Sequence, residues 1–79
     1  MPSDPLPDWV LTRRRAIGAA VRTARETKRP KLSQEKLAEL IGLDRKTISR
    51  IEQGTHSTLL DHLLLIADAL DVPLADLVR

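Results

Sequence analysis

The chain has 79 residues, with 13 Lys/Arg, 11 Asp/Glu and no cysteine. That length holds one domain with one modest core, too little scaffold for a deep catalytic cleft. The lack of cysteine removes disulfide frameworks and thiolate zinc sites, and the longest apolar run, Leu63–Ala67, falls far short of a membrane span.

Residues 1–8, with Pro2, Pro5 and Pro7, read as a flexible N-terminal arm, leaving 9–79 as the folded domain. The arm lacks the basic-then-apolar order of a signal peptide, so a cytoplasmic protein with no membrane partner is expected. Asp8 is the expected N-cap of a first helix from about Trp9 to Thr27 or Lys28, whose Val10, Ile17, Val21 and Ala24 form one apolar stripe. Trp9, the only aromatic residue, is expected to cover one end of the core. Pro30 stops this helix, and Lys28–Lys31 make a basic connector.

Ser33 caps a second helix with Leu37, Ala38, Leu40 and Ile41 expected to face inward, and Gly42 leaves it with positive φ. Asp44 caps a third helix, Arg45–Gln53, which Gly54 closes in the same way. Thr58, with Asp61 three residues on, is the expected cap of a fourth helix reaching Leu70. Asp71 sits at its exit, and Asp tolerates the left-handed region comparatively well. Pro73 then opens a short fifth helix with Leu74, Leu77 and Val78 on its apolar side. With no strand pattern and no repeat, the fold class is all-α: a compact five-helix domain.

Charge is unevenly spread. Residues 13–31 hold eight Lys/Arg against the single acid Glu26, whereas residues 57–79 hold four Asp against Arg79. One side of the surface therefore suits a polyanion. The connection Gly42–Asp44 has the length that joins the helices of a helix-turn-helix. In the third helix Ile48 and Ile51 share a face with Leu43, which leaves Arg45, Lys46, Ser49, Arg50 and Gln53 outward. Arg and Lys reach guanine edges, Gln suits adenine and Ser suits either, so Arg45, Lys46, Ser49 and Arg50 are the candidate base readers. The second helix begins at Ser33 and Gln34, where free backbone N–H groups and the helix dipole favour a phosphate; Lys36, Thr47 and Thr55 are further backbone candidates.

Over roughly Ile17–Val78 the chain resembles the Xre/Cro/lambda-repressor type of helix-turn-helix domain. The stretches that carry the likeness are IGAAVRTARE, LSQEKLAELIGLDRKTISRIEQG and LLLIADALDVPLADLV. The resemblance implies the helix-turn-helix in helices two and three, a phosphate contact at Gln34, and base reading at Arg45, Lys46 and Arg50. It also implies that Arg25 and Glu52 form a structural ion pair, which removes Arg25 from the DNA contacts. Two features depart from the pattern: a longer connector after the first helix, and Leu65 where a polar residue is usual.

With Leu59 and Ala69, Leu65 makes a possible dimer surface on the fourth helix. One module buries only about 600–1,000 Å² on DNA, and a twofold dimer doubles the contacts on a palindromic site. The expected function is that of a sequence-specific DNA-binding transcriptional regulator, a homodimer on double-stranded DNA. The alternative is an antitoxin or accessory module whose first partner is a protein such as a toxin, with DNA binding secondary. Catalytic residues, metals and cofactors are not expected: no nucleophile is paired with a histidine, and His56 and His62 lack a third ligand.

Overall fold

The computed structural model describes residues 5–79; the first four residues of the expected arm lie outside the described residues. Its order is α1 (Asp8–Thr27), α2 (Gln34–Ile41), α3 (Arg45–Gln53), α4 (Leu60–Leu70) and α5 (Leu74–Val78), with no strand among the described residues. Two of the helix starts use the expected side chains. Ser33 Oγ accepts from the Lys36 amide at 3.0 Å, and Asp44 Oδ1 accepts from the Thr47 amide at 2.7 Å. Each removes one orphan donor from a helix N-terminus.

Two other starts differ. Asp8 is the first helical residue of α1 rather than its cap; Pro7 flanks the helix, and its carbonyl accepts from the Val10 amide at 3.0 Å. At that position the Asp8 carboxylate acts only through the helix dipole. In α4 the flanking residue is Leu59, whose carbonyl takes the His62 and Leu63 amides at 3.1 and 3.3 Å. The helix thus starts one residue too late for Thr58 to cap it, and no side chain does so.

The exits of α2, α3 and α4 share one device, whereas α1 ends in extended backbone at Lys28. Gly42, Gly54 and Asp71 lie in the left-handed region at φ 75°, 68° and 57°, and each turns its chain back onto the helix it leaves. After α2, the Gly42 and Leu43 amides both return to Ala38 O. This tight exit, followed at once by the Asp44 cap, sets α2 and α3 at the close spacing of a helix-turn-helix.

The core forms where the apolar stripes meet. Helix α3 packs against both α1 and α2, α4 lies against α2 and α5, and α5 returns onto α1. Val21, Leu37, Ile48, Ile66 and Leu77, one from each helix, are completely enclosed. Burying such a side chain is worth about 1.5–3 kcal/mol, so every helix is anchored by at least one of them. Gly18 lets α1 approach α3: a Cβ there would collide with Ile51 O and stand 2.6 Å from Glu52 O.

Four apolar residues do not go where the pattern placed them, one being Val78, which is 36% exposed on α5. Trp9 is 69% exposed and covers no end of the core. Leu40 is 58% exposed, since Leu37, Ala38 and Ile41 already occupy the narrow face that α2 turns inward. Ala69, expected on an outer strip, instead packs against the core.

Candidate nucleic-acid interface

Helix α3 has two unlike faces because its residues alternate on the helical period. Ile48 and Ile51 are buried beneath it, and Arg45, Lys46, Arg50 and Gln53 are exposed. The side chains of Arg45, Lys46 and Arg50 make no hydrogen bond or ion pair to another described residue. Three cations on one short helix are thus left for an external anion or base edge. Ser49 is half-buried and accepts from Gln53 Nε2 at 3.1 Å, so its own hydroxyl proton is the part still available.

The start of α3 is held electrostatically as well as by its cap. The Thr47 amide, then the Thr47 hydroxyl, hold the Asp44 carboxyl below its ordinary range, with smaller help from Arg50 and Lys46. The Thr47 amide is therefore spent at the cap, and its half-buried side chain lies at the start of α3. After α3, the Thr55 amide returns to Arg50 O at 3.3 Å, and the Thr55 hydroxyl lies 2.9 Å from His56 Nδ1. Thr55 and His56 are both exposed.

Beneath this face, α1, α2 and α3 are tied by one polar cluster. Arg25 Nε and Nη2 donate to Glu52 Oε2 and Oε1 at 2.7 and 3.0 Å, and Arg25 Nη1 donates to Leu32 O at 2.9 Å. Arg25 is 6% exposed and Glu52 8%, so neither is a surface charge. The Glu52 hydrogen bond raises the Arg25 guanidinium above its ordinary value, against the opposing effect of burial. Gln34 joins from α2, its Nε2 donating to Glu52 Oε1 at 3.0 Å. One amide N–H of Gln34 is consequently used inside the protein, and the second is the one a phosphate could take. This link spans 18 positions of sequence, and no local pattern announces it.

The remaining candidates are spread around that centre. Ser33 and Lys36 are exposed at the start of α2, with the Ser33 oxygen already capping. In the connector, Arg29 Nη1 donates to Glu26 O and Lys28 O at 3.0 and 3.1 Å, closing the end of α1. Among the described residues no group of three His, Cys, Asp or Glu side chains could hold a metal ion.

A family model described as helix-turn-helix matches residues 21–77, which includes α2, the turn and α3. The chain belongs to the Xre/Cro-type helix-turn-helix family. As a member of this family of DNA-binding transcription regulators, it shares its fold with two solved structures. One is the restriction-modification controller protein C.AhdI from Aeromonas hydrophila, at 34% identity and a TM-score of 0.77, covering 85% of this chain and 94% of that one. The other is a hypothetical transcription factor, NHTF, from Neisseria, at 28% identity and a TM-score of 0.76, covering 100% of this chain and 86% of that one. No match was found among curated proteins. For this helix-turn-helix protein the Arg25–Glu52–Gln34 cluster locks the angle between α1, α2 and α3, which fixes how the cationic face of α3 is presented.

Proposed function

We propose that this protein is a sequence-specific transcriptional regulator that binds a palindromic operator as a homodimer, with α3 in the major groove. The carrying observation is the set of cations Arg45, Lys46 and Arg50 on the outer face of α3, none of them paired with another described residue. In this reading those three residues and Ser49 read bases, while Gln34, Ser33, Lys36, Thr47 and Thr55 hold phosphates and set register. Likeness to a controller protein and to a transcription factor supports the regulatory role.

The dimer is favoured by α4. Its inner residues Leu63, Ile66, Ala67 and Leu70 are buried, yet Leu60, Leu64 and Leu65 stand exposed on the outside, next to exposed Leu59. Exposed leucines on a helix whose inner face is already buried suit a contact between subunits, here beside the exposed Asp61 and Asp68. Leu59 and Leu65 therefore remain in the proposed surface, and Leu60 and Leu64 take the place of Ala69.

Selection from a random duplex pool tests the reading. The expected product is an inverted repeat with half-sites about one helical turn apart, and sedimentation of the protein should give a dimer. An unenriched pool overturns sequence-specific binding. A single, asymmetric half-site bound by a monomer overturns the dimer. A stable complex with a different protein that masks Leu60, Leu64 and Leu65 assigns that face to the partner instead.

A further inference from the structure

Beside the DNA-facing elements lies a groove that the proposed function does not use. It has a volume of about 280 Å³ and runs between the first turns of α1, the end of α3 and the start of α4. This is near the lower end of the roughly 300–1,000 Å³ typical of small-molecule sites. Its floor is apolar, made by Ile17, Ile51 and Leu63, and the exposed Trp9 ring stands at its side.

The charged side chains of the described residues that line it are of one sign. Arg13 and Arg14 line the groove, and no carboxylate of a described residue does. Arg13 spends one N–H on Val78 O at 2.8 Å. Arg14 is half-buried and makes no hydrogen bond to a described residue, so its guanidinium is the cation left to meet a ligand. An apolar floor with a cationic rim complements a molecule that carries an anion at one end and hydrocarbon at the other.

We propose that this groove binds a small amphipathic carboxylate, its hydrocarbon over Ile17, Ile51 and Leu63 beside Trp9 and its carboxylate on Arg14. Such a ligand also touches Ser57 and Thr58, which line the groove and continue from Thr55 and His56. A negative charge held there neutralises cations of α1 and repels phosphates next to the loop. Occupancy therefore weakens DNA binding. This second step rests on the DNA-binding reading, whereas the binding step does not.

Trp9 is the only tryptophan, so its emission reports on the groove directly. Octanoate titrated into the full chain without DNA should change that emission saturably. n-Octanol, which lacks the charge, and the Arg14→Gln variant should each bind about tenfold more weakly, the loss expected for one charge-assisted hydrogen bond. Amide shifts of the unmodified protein on adding octanoate should centre on Trp9, Ser57 and Thr58, which keeps the test valid if Arg14→Gln unfolds. A linear emission response, equal affinity for octanol, or shifts elsewhere overturns the site. If octanoate binds but leaves affinity for a selected duplex unchanged, the coupling is overturned and the site stands. If no duplex is bound at all, the DNA-binding reading has failed and the emission result still decides the site.

Discussion

Arg25 of α1 and Glu52 of α3 meet through two N–H···O bonds, each residue more than nine-tenths buried. Removing one partner strands the other's charge in the interior, at a cost of about 3–5 kcal/mol. That is comparable with the whole stability a core of this size provides. Glu52→Ala and Arg25→Ala should therefore each leave the chain largely unfolded at room temperature. The double change Arg25→Met with Glu52→Leu should be milder than either, as read by urea denaturation. The raised Arg25 value makes its contribution complete below the unfolded arginine pKa and lost only as pH rises through the higher folded value. Stability from this group is accordingly flat across the neutral range.

Gly18 reverses the usual helix rule. Glycine inside a helix costs about 1 kcal/mol relative to alanine, yet a Cβ here would meet backbone, with Glu52 O only 2.6 Å away. Backbone cannot swing aside, so α1 and α3 must separate. Gly18→Ala is expected to destabilise by about 1–3 kcal/mol, the range for overpacking. Thermal unfolding checks this, with a rise in Tm as the contrary outcome.

Asp44 gives the start of α3 a pH dependence. Its folded pKa is depressed, chiefly by the Thr47 amide, so its stabilising effect is present above the unfolded carboxylate pKa. It is lost as pH falls through the lower, folded value. Asp44→Asn keeps a capping oxygen but cannot titrate. The difference in stability between the two proteins should therefore be constant near neutrality and shrink in acid, measured by denaturation at stepped pH.

Substitutions on α3 and α2 should separate reading from gripping. Arg45→Ala or Arg50→Ala should cost about 1–3 kcal/mol on the selected duplex and relax preference at one base pair. Gln34→Ala should weaken binding to all duplexes alike, and should also lower stability because it removes a hydrogen bond to Glu52. Gel-shift series on matched and mismatched duplexes distinguish the two patterns. Unchanged affinity and preference for both arginine variants would sink the base-reading assignment.

Much of the framework is local chemistry and was legible for that reason. Ser33, Gly42, Asp44 and Gly54 act on backbone groups within a few residues, so their identity and spacing define the two short helices wherever they pack. The period of Ile48 and Ile51 likewise dictates that Arg45, Lys46 and Arg50 face out. The first turns of α1 and α4 depart from the local pattern because adjacent residues compete for the flanking position. The choice between Pro7 and Asp8, or Leu59 and Thr58, depends on how the chain enters the helix.

What the sequence determined by itself is a five-helix chain with a cationic, outward α3, because hydrogen bonds within a turn and the helical period act over a few residues. Packing of the whole chain is what makes Gln34 share Glu52 with Arg25, makes Gly18 the contact point of two helices, and leaves Trp9 at the side of an open groove. Those outcomes depend on distances between residues far apart in the chain, which are set when the apolar stripes of all five helices are buried together.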